Sequence, residues 1–482
     1  MDDAAERVRL VSEDMDDVEL ADRRLNYRAR RVAKRVAAAP DKGFPEALGT
    51  AADLEGFYRF LANDKVTKEA LLKPHADATV RRVAEHETVL IAHDNTEFRF
   101  GGEGRDGLGK VSRGGNGFHA HFCLAVAPSE MRDPLGVLAI DMWARTGESP
   151  TQRRKKGVMS HKAIRASGEV TEQHRWFRMV ERSEQVVSGA ASLVHLMDSE
   201  SDDYVLLCNL VAAERRFILR LCYDRRLDAA ATGSNPGEKA LEFIARAETI
   251  ATRDIALGRR GKPKSGAKNN RTQPRAERMA RIAFSATKVV FARPKPVPTT
   301  VPQSVRINVV VARELHVPLG EKPVEWLLAT TEPIETREQV LAVVDMYRRR
   351  WVIEEYFKAL KTGCAVELRQ LETSDTLFKA LAIFAPVAWA LLRMRTLSRL
   401  SERSPITAAL SLAQIEILKK KTGIPLRKNS SVVDGYLAIA RLGGHIKNNG
   451  PPGWQVIGRG FTQLLHLETG YRIAKSETSD RC

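Results

Sequence analysis

The sequence predicts an α/β protein, with helical segments at both ends and a mostly β stretch ahead of the last long amphipathic helix. Three observations predict it. Short apolar runs that close on an acid, TVLIAHD ending at Asp94 and SLVHLMDSE around Asp198, read as buried strands. Apolar positions at helical spacing mark residues 1 to about 75 and most of the chain beyond Glu335. Between them KVVFARP, RINVVVARE and EWLLATT alternate or run apolar, which is strand composition.

At 482 residues the chain is too long for one simple core and is expected to form two or three domains. Its 77 Lys and Arg against 60 Asp and Glu leave a charge of +17, a surplus that favours a polyanionic partner such as nucleic acid. Five cysteines without CxxC spacing exclude a zinc ribbon or disulfide framework and fit a reducing compartment. The acidic start is no signal peptide. ALAIFAPVAWALL, Ala380 to Leu392, is too short to span a bilayer and contains Pro386, so it reads as a buried helix. A cytoplasmic protein with no membrane partner is expected.

Taken in order, residues 23–35 carry seven Arg and Lys and no acid on a helical pattern. They suit anion binding, although a solvated charged helix has the same composition. A turn and a helix with Leu54, Phe57, Tyr58 and Leu61 at helical spacing complete a small basic domain over residues 1–75. After the strand ending at Asp94, HAHFCLAVAPS and LGVLAIDMWAR suggest an antiparallel meander. A helix through WFRMVERSEQVV, the strand before Asp198 and the strand-like RRFILRLCYD follow. Residues 258–281 hold nine Lys and Arg against Glu277 alone, with Gly, Pro and Asn throughout, and read as a loop. Thr336 and Gln339 have the capping-box spacing that opens a helix running to Gly363.

That helix aligns unusual residues. At about 100° per residue, Tyr347, Arg350, Glu354 and Lys361 share a strip about 60° wide. A solvated face would more often alternate Glu with Lys. A phosphate-handling face combines a metal-binding Glu with Arg and Lys donors and a Tyr hydroxyl. Two strand-end carboxylates, Asp94 and Asp198, can converge with Glu354 from distant positions into an oxygen set for Mg²⁺ or Mn²⁺. Two such ions suit phosphodiester chemistry. Singly, each acid has a plainer reading: Asp94 and Asp198 as caps, Glu354 as the partner of Arg350 one turn away.

The Tyr-x-x-Arg-x-x-x-Glu-x-x-x-x-x-x-Lys pattern resembles the signature of bacterial cut-and-paste DDE transposases of insertion-sequence family four. IAHDNTE, LMDSESD and EKPVEWLLATTEPI are similar to that family's segments, as are ELADRRLNYRAR, GFYRFL and LAIARLGG. The resemblance implies a ribonuclease-H-like catalytic core over residues 76–394, interrupted by a β-rich insertion at about 210–335. Asp94, Asp198 and Glu354 would bind two Mg²⁺, with Mn²⁺ substituting. Tyr347, Arg350, Lys361, Trp326 and Arg220 would contact double-stranded DNA at the transposon ends and target, Trp326 as a platform for a flipped base. An ordinary core Trp and a plain strand Arg remain the other readings of Trp326 and Arg220.

Residues 1–75 would read the end sequence. Residues 395–482 would form a helical dimerisation domain for a homodimer that synapses two ends, acting at the nucleoid. Asn95 stands where the family often has Thr, and Ser199 where it usually has Arg, while Glu200 and Asp202 match. A DNA-binding protein derived from such an enzyme, or a metal-dependent nuclease without strand transfer, are the other functions considered.

Two further patterns lead elsewhere. GRDGLGKV, Gly104 to Val111, nearly makes a phosphate loop, but Val111 stands where a hydroxyl is needed and no helix follows. His119 and His121 share a strand face and could ligate a metal, but the sequence offers no third ligand.

Overall fold

In the computed structural model, residues 14–479 are described, apart from 103–104, 113–114, 130–131, 146–171, 260–274, 398–404, 409 and 447–451. Among the described residues, ten strands make one mixed sheet: β1 (Thr88–Phe100), β2 (Gly109–Lys110), β3 (Asn116–Val126), β4 (Pro134–Trp143), β5 (Ser192–Met197), β6 (Arg216–Arg220), β7 (Thr249–Leu257), β8 (Arg278–Ala292), β9 (Ser304–Leu315) and β10 (Glu325–Thr330). From β3 inward the order is β3-β1-β5-β6-β10-β9-β8-β7, with β2 and β4 also pairing β3. β1, β3 and β4 form an antiparallel meander. β5 and β6 then add in parallel, each after a helix, as parallel neighbours require a crossover. The antiparallel strands β7 to β10 continue the sheet through the β10–β6 pairing.

β1 is buried on both faces because its alternate side chains enter two cores. Leu90 and Ala92 belong to the large core shared with the N-terminal helices and the long apolar helix. Val89 and Ile91 enter a second core with Met179 and Val187 of the helix Glu172–Val187. Helices thus cover both faces, and the strand reads as a continuous apolar run.

The N-terminal helices begin where the sequence places polar caps. Asp22, Thr50 and Thr67 each accept a backbone N–H of the following turn. The basic helix Arg23–Ala38 buries Ala29, Val32, Ala33 and Val36 and leaves most of its cations outward. Asp14, from the acidic leader, is buried and bonds His75 at 2.8 Å. The helix Ser374–Leu397 contains Ala380–Leu392. By length and composition its Ser374–Arg393 stretch could cross a membrane, but 78% of the apolar window is buried inside the protein.

Candidate active site

The helix Arg337–Arg349 opens with the expected capping box, Thr336 Oγ1 accepting from Gln339 N and Gln339 Oε1 from Thr336 N. It buries Val340, Val343, Val344 and Tyr347, an i, i+3, i+4, i+7 stripe. The chain then departs from the single helix expected. A break at Arg350–Trp351 leads into the helix Val352–Lys358, and Ala359–Gly363 forms a π turn closed by Cys364 N to Ala359 O at 2.8 Å. Gly363 does not provide a left-handed cap. A Cβ there would stand 3.0 Å from Leu391, and the left-handed residue is Ala365, at φ 48°.

The buried stripe turns polar where the parallel β1–β5 pairing ends; the first strand does not close on Asp94 as expected, because β1 stays paired with β3 as far as Phe100. Ala92 and Leu196 are the last parallel pair between β1 and β5, and Asp94 and Asp198 each lie two residues beyond. The period of two puts both carboxylates on the face that carries Leu90, Ala92, Val194 and Leu196. Ile353 and Tyr356 anchor the following helix in the same core and turn Glu354 toward the same place.

Arg350 joins the acids. Its guanidinium donates to Asp94 Oδ2 at 3.0 Å and to Glu354 Oε1 at 3.1 Å, linking residues that lie 256 and 4 positions away. Asp94 is 9% exposed and Arg350 8%. Burial pushes the Asp94 carboxyl up to about 7, the Arg350 charge pulls it down, and Asp198, Glu354 and Glu200 push it up again. Glu354 is also raised, first by burial, with Arg350 opposing. Burial disfavours the Arg350 cation, yet Tyr347 and the surrounding carboxylates raise its pKa overall.

This donor set fits a hard divalent cation. Carboxylate oxygens are the ligands Mg²⁺ and Mn²⁺ take, and a pKa near 7 at Asp94 marks a place short of positive charge.

The other predicted residues fall around this point. Tyr347 is buried beside Arg350, and its ring meets that of Trp326 nearly edge-on, centroids 5.4 Å apart. Trp326 is only partly buried and packs against the large core. Arg220, at the end of β6, donates to Glu325 O at 3.4 Å. Lys361 donates to Glu97 O at 2.5 Å and lines a cavity of about 470 Å³ with Glu97, Arg99 and Ser112. Of the basic loop 258–281, positions 260–274 lie outside the described residues.

Two residues matter more than their sequence context announces. Glu200 is raised in pKa by burial and by Asp198, which makes it a fourth acid at the site. Asp202 is buried, pairs with Arg225 at 2.6 Å and accepts from Cys222 N and Tyr223 N. It pins the turn after Asp198 to the loop beyond β6. Their match to the family pattern after Asp198 was the signal the sequence offered.

Family comparison adds to this geometry. A transposase DNA-binding model matches residues 9–66, and a transposase DDE domain model matches residues 209–388. The second match includes Glu354 and its neighbours and begins after Asp94 and Asp198. The protein is an enzyme of metal-dependent DNA cleavage and transfer. It carries a transposase DNA-binding domain and a transposase DDE domain, which support a DDE transposase with a ribonuclease-H-like core, divalent metal ions, generally Mg²⁺, and DNA as its partner.

Proposed function

We propose that the chain is a cut-and-paste transposase of insertion-sequence family four, and that Asp94, Asp198 and Glu354 are its catalytic acids. The observation that carries this reading is Arg350 held between Asp94 and Glu354 where the pairing of β1 with β5 ends. Two Mg²⁺ held by the three carboxylates, with Mn²⁺ able to substitute, would polarise the scissile phosphate and acidify the attacking hydroxyl.

The protein's own groups do the rest. Arg350 keeps Asp94 and Glu354 from repelling each other before cations arrive. Tyr347 and Lys361 offer donors to phosphate oxygens on either side of the cut. Glu97 holds Lys361 in place through its backbone carbonyl. Trp326, partly exposed beside Tyr347, gives a π face for a base turned out of the duplex during hairpin formation. Nicking, hairpin formation, hairpin opening and strand transfer are all in-line displacements, so one acid cluster serves them in turn.

Residues 1–75 read the terminal sequence and residues 76–394 form the catalytic domain around a β insertion at about 210–335. Residues 395–482 bring two subunits together on two ends. Arg220 and the loop 258–281 grip backbone phosphates.

The reading is tested on DNA carrying the element's own ends. Hairpin ends and joined target products are expected with Mg²⁺; nicks or blunt cuts alone would favour the nuclease reading. Trp326→Ala is expected to lower hairpin yield at least tenfold while first-strand nicking changes less than threefold, read on a denaturing gel. Proton competition is a second check. Because Asp94 carries a proton below about pH 7, and the cation must displace it, the apparent Mg²⁺ affinity is expected to fall about tenfold per pH unit below 7 and to level off above. Titrating cleavage against Mg²⁺ across that range measures the slope, and a flat profile would contradict it.

A further inference from the structure

On the face of the sheet opposite the three carboxylates lies a buried polar cluster that the DNA chemistry does not use. His93 of β1 pairs directly with Cys123 of β3, and His121 stands two residues before Cys123 on the same face. His93 Nδ1 is 3.1 Å from His121 Nε2 and 3.5 Å from Cys123 Sγ, and the three atoms all lie within 4.8 Å of one another. All three residues are 0% exposed. Zinc–nitrogen and zinc–sulfur bonds of about 2.0 and 2.3 Å in a tetrahedral shell separate neighbouring ligand atoms by about 3.3–3.6 Å. The two distances from His93 Nδ1 are close to those of such a shell. His119, the partner the sequence suggested for His121, instead stacks on Trp143 at 5.6 Å.

The surroundings orient these ligands. His93 Nε2 is 2.9 Å from His195 Nδ1, and His195 Nε2 is 3.0 Å from Glu184 Oε1. With Glu184 accepting, the donation order that keeps the rings neutral runs from His93 Nε2–H to His195, then from His195 Nε2–H to Glu184. It leaves His93 Nδ1 a bare lone pair aimed into the cluster. An acceptor behind the far nitrogen is how proteins fix a ligating imidazole, and here His195 fills that place with Glu184 behind it. Trp176 holds the His121 ring edge to face at 4.6 Å.

We propose that His93 Nδ1, His121 Nε2 and Cys123 Sγ form a structural site for a thiophilic divalent cation, Zn²⁺, which ties β1 to β3 behind the catalytic acids. The cation-free cluster holds a thiol, because burial pushes Cys123 up to about 12. Binding releases that proton to solvent. The proton His121 shares with His93 moves to His121 Nδ1, so one Zn²⁺ enters and one H⁺ leaves, with no change of oxidation state.

The test uses the full chain stripped of bound metal with a chelator that is then dialysed away, with Co²⁺ as the probe. One equivalent of Co²⁺ is expected to give a near-ultraviolet thiolate-to-metal absorption and visible bands of a distorted tetrahedral ion. One equivalent of Zn²⁺ should abolish both. Cys123→Ala should remove the near-ultraviolet band. His121→Asn, which keeps the thiol, should weaken Co²⁺ binding at least tenfold. Glu354→Gln should leave the spectrum unchanged, which separates this site from the catalytic acids. Wild type that shows no such band at several equivalents of Co²⁺, or a band that survives in Cys123→Ala, would overturn the site. Neither result bears on transposition.

Discussion

Asp94→Asn is expected to abolish DNA cleavage, by about a thousandfold or more, and at the same time to raise the melting temperature of the metal-free chain at pH 8. The two effects share one cause. In the folded state the Asp94 carboxyl titrates near pH 7, above the ordinary value of 3.8, because burial and the other acids disfavour its charge. Between those two pH values the unfolded chain has lost the proton and the folded chain still holds it, so stability falls as pH rises. Above 7 the full cost is present. A shift of about three units corresponds to a few kcal/mol, an upper limit for what an uncharged isostere recovers. Metal-free Asp94→Asn should therefore gain stability at pH 8 and almost none at pH 4, measured by thermal or urea unfolding at both. Mg²⁺ should stabilise wild type and not the variant. A variant less stable than wild type at pH 8 would mean that Asp94 is a structural anchor.

Arg350→Gln is expected to do the opposite. Removing one partner from a buried ion pair leaves the other charge uncompensated, at a cost of about 3–5 kcal/mol. Asp94 and Glu354 would then face each other and Glu200 without a cation between them. The loss should be largest above pH 7. It should shrink below pH 7, because Asp94 takes up a proton there and no longer needs the guanidinium. Added Mg²⁺ should return part of the stability by placing positive charge among the same carboxylates. Urea unfolding at two pH values, with and without Mg²⁺, resolves all three trends. A loss independent of both pH and Mg²⁺ would mean that Arg350 acts through packing.

Much of this site could be read from the chain because its signals are local. TVLIAHD and SLVHLM are apolar runs too short for helices, and the acids that follow mark where the β1–β5 pairing stops, although β1 itself runs on past Asp94 to Phe100. The Tyr347, Arg350 and Glu354 alignment needs only helical periodicity. Other features needed the tertiary structure. The break at Arg350–Trp351 and the π turn at Ala359–Gly363 leave no mark in the periodicity of the sequence. Lys361 therefore leaves the ideal strip and is fixed by Glu97 from β1, 264 positions away. His93 and Cys123 meet only once the β1–β3 register is set, so the sequence pointed to His119 instead. The acidic leader gave no signal that Asp14 would be buried against His75.

The most direct test of the central claim is cleavage of DNA carrying the element's own ends, with Mg²⁺, by wild type and by Glu354→Ala. The carboxylate trio predicts a variant that still binds the ends, seen by gel shift, and leaves both strands uncut. A variant that cuts as well as wild type would make Glu354 only the partner of Arg350 and would contradict the mechanism.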